Sequence, residues 1–210
     1  MYGLLISFAV IASLLLSEKF VRKKELNSEL FWEGSFWAIL SGIVGARIYH
    51  VIDFWEVYSQ NISAIFRVWH GGLGIFGALF FGGIAFVLYL NKKKENIWNW
   101  LDVVAIPLPF AQAVGRWGNY FNNELIPYAI YESLADLGLF LVLIILQKKK
   151  LISGYLFFIY LIGYSVIRLF LEPLRERSWE IANLNVAQSI SILLVLIASL
   201  MLWKLKQKNS

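Results

Sequence analysis

The chain has no cysteine, only two histidines and few aspartates. Without cysteine, its 210 residues form no disulfide, no zinc–thiolate site and no thiol nucleophile of their own. The histidines do not form an H-x-x-x-H pair, which excludes a zincin site. Asp53, Asp102 and Asp136 lie too far apart in sequence for the carboxylate cluster that holds Mg²⁺ in phosphotransfer. There is also no G-x-S-x-G elbow and no phosphate-binding glycine loop. We therefore expect neither a metal nor a cofactor.

Charged residues are scarce and apolar residues abundant. Hydrophobic residues make up 59% of the chain and charged residues 16%, whereas globular proteins have about 45–50% and about 25%. Nine tryptophans and ten tyrosines suit the interface belts of a membrane protein. In a chain this apolar, we interpret the net charge of +5 as a sign of membrane topology and expect no nucleic-acid partner.

Seven apolar runs have about the 17–25 residues that cross a bilayer as a helix. The first and the fourth are short, and the fourth is expected to continue as a helix through Arg116. We interpret the first as a retained span, because its basic residues follow it and a signal peptide's would precede it. The sequence predicts an all-α integral membrane protein with about seven spans, in which residues 1–210 form one domain without a soluble part. The runs are Tyr2–Leu16, Phe31–Phe54, Gly72–Leu90, Trp100–Val114, Tyr128–Leu146, Gly154–Leu171 and Val186–Trp203.

Lysines follow every second span. All twelve of them lie after spans one, three, five and seven, together with Arg22. Cytoplasmic connections carry the excess of basic residues, so the N-terminus is expected outside and the C-terminus in the cytoplasm.

The remaining arginines lie in spans or on the outer side. The excess of basic residues in cytoplasmic connections does not explain why arginines and lysines lie in different places. A phosphate-binding cavity does explain it, because the guanidinium group of arginine binds oxyanions in a bidentate manner. These arginines are Arg47, Arg67, Arg116, Arg168, Arg175 and Arg177.

The segment G-R-W-G-N-Y-F-N-N-E, residues 115–124, directly follows an apolar run. Charged and amide side chains at bilayer depth are costly unless they are paired or hydrated, so they indicate a functional site. Arg116 and Asn119 share a helix face at i,i+3, and Asn122 and Glu124 follow.

Other spans carry further candidates, each with a simpler alternative. Arg47 either reaches for lipid phosphate from the end of its span or lines the cavity. The glycines from Gly71 to Gly83 either pack helices or let a headgroup approach the backbone. Glu132 and Asp136 share one helix face and are expected to pair with an arginine of another helix, although a proton relay is an alternative.

Arg168 and Glu172 have the i,i+4 spacing of an ion pair, and the simplest interpretation is that they only neutralise each other. However, Arg168 and Arg116 both lie near the outer ends of outward-running spans. Two arginines at one depth repel each other unless an anion lies between them. We predict that this anion is a lipid phosphate.

The ordered motifs resemble those of the prolipoprotein diacylglyceryl transferase family. The main one is R-W-G-N-Y-F-N-N-E from Arg116 to Glu124, which is similar to the family's R-x-G-N-F-x-N-x-E. The supporting motifs occur in family order over nearly the whole chain. They are Tyr2-Gly3-Leu4, Gly45-Ala46-Arg47, Trp69-His70-Gly71-Gly72-Leu73, Tyr131-Glu132, and Arg168 with Glu172 and Arg175.

This resemblance implies an enzyme that transfers the diacylglyceryl group of phosphatidylglycerol to the lipobox cysteine in the signal peptide of a preprolipoprotein. Glycerol phosphate leaves and a thioether forms. The implied location is the bacterial inner membrane, among membrane lipids, with the active site toward the outer leaflet. We expect Arg116 and Arg168 to hold the lipid phosphate with help from Asn119, and either Glu124 or Glu132 to act as the base. The predicted catalytic residues are Arg116, Arg168, Glu124 and Glu172, and the predicted substrate-binding residues are Tyr2, Arg47, Gly72, Asn119, Asn122, Tyr131 and Glu132.

The chain departs from the family pattern at several points. Phe76 stands where many members have a catalytic histidine, and Pro127 stands where a glycine is usual. The motif H-P-[ST]-Q-L-Y-E is reduced to I-P-Y-A-I-Y-E, residues 126–132, and the usual extracellular head and preceding N-terminal segment are missing. Two other functions therefore stay open: a small transporter whose intramembrane carboxylates carry protons, and an inactive relative that only binds phospholipid.

Overall fold

A computed structural model describes residues 2–175, 180–181 and 184–209. Nine α-helices account for most of these described residues. In chain order they are α1 (Tyr2–Lys23), α2 (Ser28–Asp53), α3 (Trp55–Tyr58), α4 (Ile75–Lys92), α5 (Ile97–Ala105), α6 (Leu108–Phe121), α7 (Tyr128–Leu146), α8 (Tyr155–Leu171) and α9 (Val186–Asn209).

Within the described residues, seven helical segments are long and apolar enough to cross a membrane. Five lie within single α-helices, one joins α8 to the 3₁₀ turn Glu172–Leu174, and one joins α5 and α6 into a single span, Ile97–Phe121. The junction contains Pro107, which lacks an N–H group for helical hydrogen bonding. The prediction of an all-α membrane protein with about seven spans is confirmed. The helix also continues through Arg116, as expected.

Several helices extend beyond the apolar runs. Helix α1 continues past Leu16 to Lys23, and α9 continues past Trp203 to Asn209. Arg22 and Lys23 occupy the last turn of α1, where positive charge interacts favourably with the helix dipole. The boundaries predicted from hydropathy alone were therefore too short at these ends.

The described chain divides into two compact units, Met1–Lys24 with Trp98–Ser210, and Glu25–Ile97. The prediction of a single domain stays a prediction. In the smaller unit, α2 packs along α4. A side chain at Gly45 would meet Phe81 at 2.5 Å, so a residue without a β-carbon lets these helices approach closely.

In the larger unit, α6 packs against α1 and α7, and α8 packs against α7 and α9. Its core lies where α7 and α8 meet the junction between α5 and α6. The buried residues there are Ala105, Ile106, Leu139, Leu143, Leu156 and Tyr160. This packing places the C-terminal end of α6 beside the N-terminal end of α7.

Asp102 fixes the start of α8. Its carboxylate accepts hydrogen bonds from the backbone N–H groups of Gly154 at 3.0 Å and Phe157 at 2.9 Å, and from Lys24 Nζ at 3.3 Å. The side chain of Asp102 is 1% exposed. A buried carboxylate with three donors stabilises both the helix start and the contact between α5 and α8.

The connection after α2 forms short helical turns. It contains α3 and two 3₁₀ turns, Ile62–Phe66 and Val68–His70. Between α8 and α9, the two-residue strands β1 (Glu180–Ile181) and β2 (Leu184–Asn185) pair antiparallel.

Candidate active site

Helices α6, α7 and α8 bring Arg116, Glu132 and Arg168 together. Arg116 binds the Glu132 carboxylate through two nitrogens, with Nε 2.7 Å from Oε2 and Nη2 donating to Oε1 at 2.8 Å. Arg168 Nη1 lies 3.8 Å from the same Oε2. Glu132 is fully buried, whereas the arginine side chains are 23% and 12% exposed. The expected pairing of Glu132 with an arginine of another helix is present.

The two guanidinium groups are close neighbours. Both contact Glu132 Oε2, at 2.7 and 3.8 Å, so the two contacting nitrogens lie no more than about 6.5 Å apart. In the structure an anion lies between Arg116 and Arg168. The anion in the structure is the protein's own Glu132, whose buried carboxylate is paired with both guanidinium groups. The prediction that a lipid phosphate binds these two arginines stays a prediction.

Glu172 holds the other side of Arg168. Arg168 Nη2 lies 2.5 Å from Glu172 Oε2, and Arg175 Nη1 lies 3.5 Å from Glu172 Oε1. Among the described residues, these ion pairs join three arginines to two glutamates. We call Arg116, Glu132, Arg168, Glu172 and Arg175 the arginine cluster. With three arginines and two glutamates, the cluster has a net charge of +1.

Tyr128 lies beside both guanidinium groups. The Cζ atoms of Arg116 and Arg168 are 5.7 and 5.9 Å from its ring centroid, and Arg168 Nη1 donates a hydrogen bond to its hydroxyl. Tyr128 is 1% exposed. It occupies the first turn of α7, one turn before Glu132. A single aromatic ring therefore contacts the two arginines that the cluster brings together.

Asn119 links Arg116 to Glu124. Arg116 Nη1 donates to Asn119 Oδ1 at 3.5 Å, and Asn119 Nδ2 donates to Glu124 Oε2 at 3.2 Å. Unlike Glu132, the Glu124 side chain is exposed. The chain of contacts therefore runs from the arginine cluster to an accessible carboxylate.

Two other predicted residues lie near this segment. Asn122 ends α6, and its backbone N–H group bonds to the carbonyls of Gly118 and Asn119. The Tyr131 side chain is 49% exposed. Their predicted roles in substrate binding stay predictions. Tyr2 lies outside the residues whose side chains the structure describes.

Arg47 and Gly72 belong to the smaller unit, where Arg47 organises a loop. Its guanidinium donates to the carbonyls of Ala64 at 2.6 Å, Ile65 at 2.8 Å, Gly71 at 2.8 Å and Gly72 at 2.9 Å. Four of its five N–H groups are thus engaged by backbone. Arg47 is 7% exposed.

The contact between Arg47 and this loop requires glycine at position 72. Its φ of +74° favours glycine, and a β-carbon there would lie 2.7 Å from Arg47 Nη1 and 2.6 Å from the His50 ring. A cleft of about 370 Å³ opens beside them, lined also by Tyr58 and Arg67. In the smaller unit, Phe76 is 65% exposed and lies beside Tyr49.

Sequence reasoning did not identify Tyr128. The available signal was its i,i+4 spacing to Glu132, which places both on one face of α7. Within the described residues, no group of three His, Asp or Glu side chains is arranged to hold a metal ion.

Comparison with known proteins agrees with the motifs. The sequence profile of the prolipoprotein diacylglyceryl transferase family matches residues 1–204. The chain is 35% identical to the phosphatidylglycerol–prolipoprotein diacylglyceryl transferase of Listeria innocua, over 94% of this chain and 82% of that one. It is 36% identical to the enzyme of the same name from Synechocystis, over 99% of this chain and 86% of that one. The predicted resemblance is confirmed, and the chain belongs to the prolipoprotein diacylglyceryl transferase family.

Proposed function

We propose that this protein transfers the diacylglyceryl group of phosphatidylglycerol to the lipobox cysteine of a preprolipoprotein. The observation that carries the proposal is the convergence of Arg116 and Arg168 on one carboxylate in a member of this family. Two guanidinium groups within about 6.5 Å of each other can both reach one phosphate, whose oxygens accept bidentate hydrogen bonds.

The arginine cluster has the charge that this substrate needs. Its five residues carry a surplus of one positive charge, and the phosphodiester of phosphatidylglycerol carries one negative charge. The phosphate shares the two guanidinium groups with Glu132, and the Arg116 and Arg168 side chains are accessible to it at 23% and 12% exposure.

In the reaction, the cysteine sulfur attacks the glyceryl carbon, and the bond from that carbon to the phosphate oxygen breaks. The departing glycerol phosphate takes the electron pair, so negative charge grows on the phosphate. Guanidinium groups already aimed at that position lower the barrier without reorganising. The new carbon–sulfur bond is the thioether.

Glu124 receives the proton of the thiol. The nucleophile is the thiolate, and a free cysteine has a pKa of about 8.5, so a base is needed at neutral pH. Glu132 is buried and held by two arginines, whereas Glu124 is exposed and oriented by Asn119. This contrast favours Glu124 over Glu132. Asn119 acts as the positioning residue, because it contacts both Arg116 and Glu124.

The protein resides in the bacterial inner membrane. Its N-terminus is outside, its C-terminus is cytoplasmic and the arginine cluster faces the outer leaflet. The lysines that follow alternate spans support this orientation. With this orientation, the C-terminal ends of α6 and α8 lie on the outer side.

The test is thioether formation between phosphatidylglycerol and a lipobox peptide by the purified protein. We expect Arg116→Ala and Arg168→Ala each to lower the rate by about 10²–10³-fold. Arg116→Lys and Arg168→Lys should be almost as slow as the alanine variants, because an ammonium group lacks the bidentate geometry of a guanidinium. Arg22→Ala is the matched control, since this arginine is 71% exposed and pairs only with Glu18 among the described residues. Full activity of Arg116→Ala or Arg168→Ala would remove that residue's proposed role.

The same assay separates the alternative functions. An inactive relative would bind phosphatidylglycerol without forming a thioether. A transporter would move substrate into proteoliposomes and would continue to do so after Arg116→Ala. Thioether formation by the wild-type protein is therefore the decisive result.

Orientation can be tested independently. Because the chain lacks cysteine, a single introduced cysteine gives an unambiguous label. In intact cells, a membrane-impermeant thiol reagent should label Gln60→Cys and not Lys149→Cys. The reverse pattern would contradict the proposed orientation.

A further inference from the structure

We propose that Tyr128 is a positioning residue that sets the spacing of the two arginines for the lipid phosphate. The inference rests on the proposed transfer reaction and adds a residue to it.

The geometry gives Tyr128 contact with both arginines at once. Each Cζ atom lies within 6 Å of the ring centroid, at 5.7 Å for Arg116 and 5.9 Å for Arg168. The negative face of an aromatic ring attracts a cation such as the Arg116 guanidinium at this range, and the attraction increases when water is excluded. Arg168 contacts the hydroxyl edge of the same ring. At 1% exposure, the ring is shielded from water.

The hydroxyl of Tyr128 adds a directional hydrogen bond that the ring alone does not provide. It accepts a hydrogen bond from Arg168 Nη1. The other terminal nitrogen of Arg168 is held by Glu172 at 2.5 Å. Arg168 is therefore fixed at both terminal nitrogens, and a rotation of its guanidinium would break a contact on either side.

Glu132 alone would not define the spacing after the lipid has bound. It contacts Arg168 at only 3.8 Å, while Arg116 is bound at 2.7 and 2.8 Å. A phosphate that shares the guanidinium groups weakens their attraction to this carboxylate. The ring of Tyr128 is uncharged and does not compete with the phosphate, so it keeps both arginines in place during the reaction.

The experiment compares Tyr128→Phe and Tyr128→Leu in the thioether assay. Phenylalanine keeps the ring and loses the hydroxyl, and we expect the kcat to fall about tenfold because one charge-assisted hydrogen bond is lost. Leucine loses both, and we expect a fall of about 100-fold or more. The KM for the lipobox peptide should stay unchanged in both variants, since the arginines act on the lipid phosphate.

Tyr160→Phe is the matched control. Tyr160 is also buried in the larger unit, at 8% exposure, and its hydroxyl accepts a hydrogen bond from Gln112 at 3.0 Å. It should keep the wild-type kcat while losing a buried hydroxyl. A merely structural role of Tyr128 would lower the thermal midpoint and the fraction of active protein and leave the kcat per active molecule unchanged.

The outcomes separate this inference from the reaction itself. A wild-type protein that forms no thioether refutes the proposed reaction. An active wild type with equal kcat values in Tyr128→Phe and Tyr128→Leu refutes the role of the ring. A wild-type kcat in Tyr128→Leu refutes the positioning role altogether, and the graded loss with an unchanged peptide KM supports it.

Discussion

Replacing Glu132 with glutamine tests whether its charge holds the arginine cluster together. Glu132→Gln keeps the size of the side chain and removes its negative charge. Arg116 loses a bidentate partner, and Arg168 loses its contact at 3.8 Å. The protein should become less stable, and an added anion should reverse part of that loss.

The magnitude follows from the distances. With nitrogens no more than about 6.5 Å apart, the two arginines repel each other by at least about 2.5 kcal/mol at an effective dielectric constant of about 20. Removal of one partner from a buried ion pair costs about 3–5 kcal/mol in total. For a chain of this size, such a loss lowers the thermal midpoint by about 6 °C or more.

The assay compares thermal unfolding in neutral micelles and in micelles that contain phosphatidylglycerol. Ligand binding stabilises the folded state by mass action. The lipid phosphate supplies negative charge that the glutamine does not provide, so Glu132→Gln should gain more from phosphatidylglycerol than the wild type gains. Phosphatidylcholine, which has no net charge, should give a smaller gain.

Asp136→Asn is the control on the same helix. Asp136 is fully buried, and neither of its carboxyl oxygens has a hydrogen-bond partner among the described residues. Its conversion to an amide removes no observed contact and should leave the thermal midpoint at or above that of the wild type. If Glu132→Gln unfolds within about 2 °C of the wild type, or if phosphatidylglycerol stabilises both proteins equally, the charge of Glu132 does not hold the arginine cluster together.

Three further variants test other parts of the structure. Arg47→Lys keeps the positive charge but loses most of the hydrogen bonds to the carbonyls of residues 62–72. We therefore expect a protease to cleave this loop faster in limited proteolysis. Unchanged cleavage would contradict the anchoring role of Arg47. Asp102→Ala should lower the free energy of unfolding by about 3–5 kcal/mol, because it leaves the Lys24 ammonium and two backbone N–H groups without their acceptor. An unchanged denaturation curve would contradict the stabilising role of Asp102. Glu124→Gln should lower the rate at pH 7 by about 10²–10⁴-fold and less at pH 9, where the thiol ionises without a base; an equal loss at both pH values would exclude the role as a base.

The spans and the polar segment were predictable because both depend on local composition. Long apolar runs determine where a helix can cross a membrane. The charged and amide residues after Val114 stand out against them. The ion pair of Arg168 with Glu172 was also predictable, since i,i+4 spacing on one helix fixes their proximity before any tertiary contact forms.

The partners of the buried charges were not predictable in the same way. Glu132 and Asp136 share a face of α7, and the sequence treats them alike. Only the rotation and depth of α7 against α6 decide that Glu132 meets Arg116. The contacts of Arg47 were also not predictable from the sequence. Its acceptors are backbone carbonyls, which every residue carries, so the side chains of the sequence do not indicate which carbonyls it binds.

The charge balance of the reaction explains why a surplus of one positive charge is sufficient. The phosphodiester brings one negative charge, which the arginine cluster neutralises. In the proposed reaction, the phosphate gains a second negative charge as the carbon–oxygen bond breaks, and Glu124 loses its charge when it accepts the thiol proton. The total charge of the site then stays constant from substrate to product. Asn119 donates a hydrogen bond to Glu124 and accepts one from Arg116, so in the proposed reaction it links the residue that takes the thiol proton to a residue that binds the phosphate.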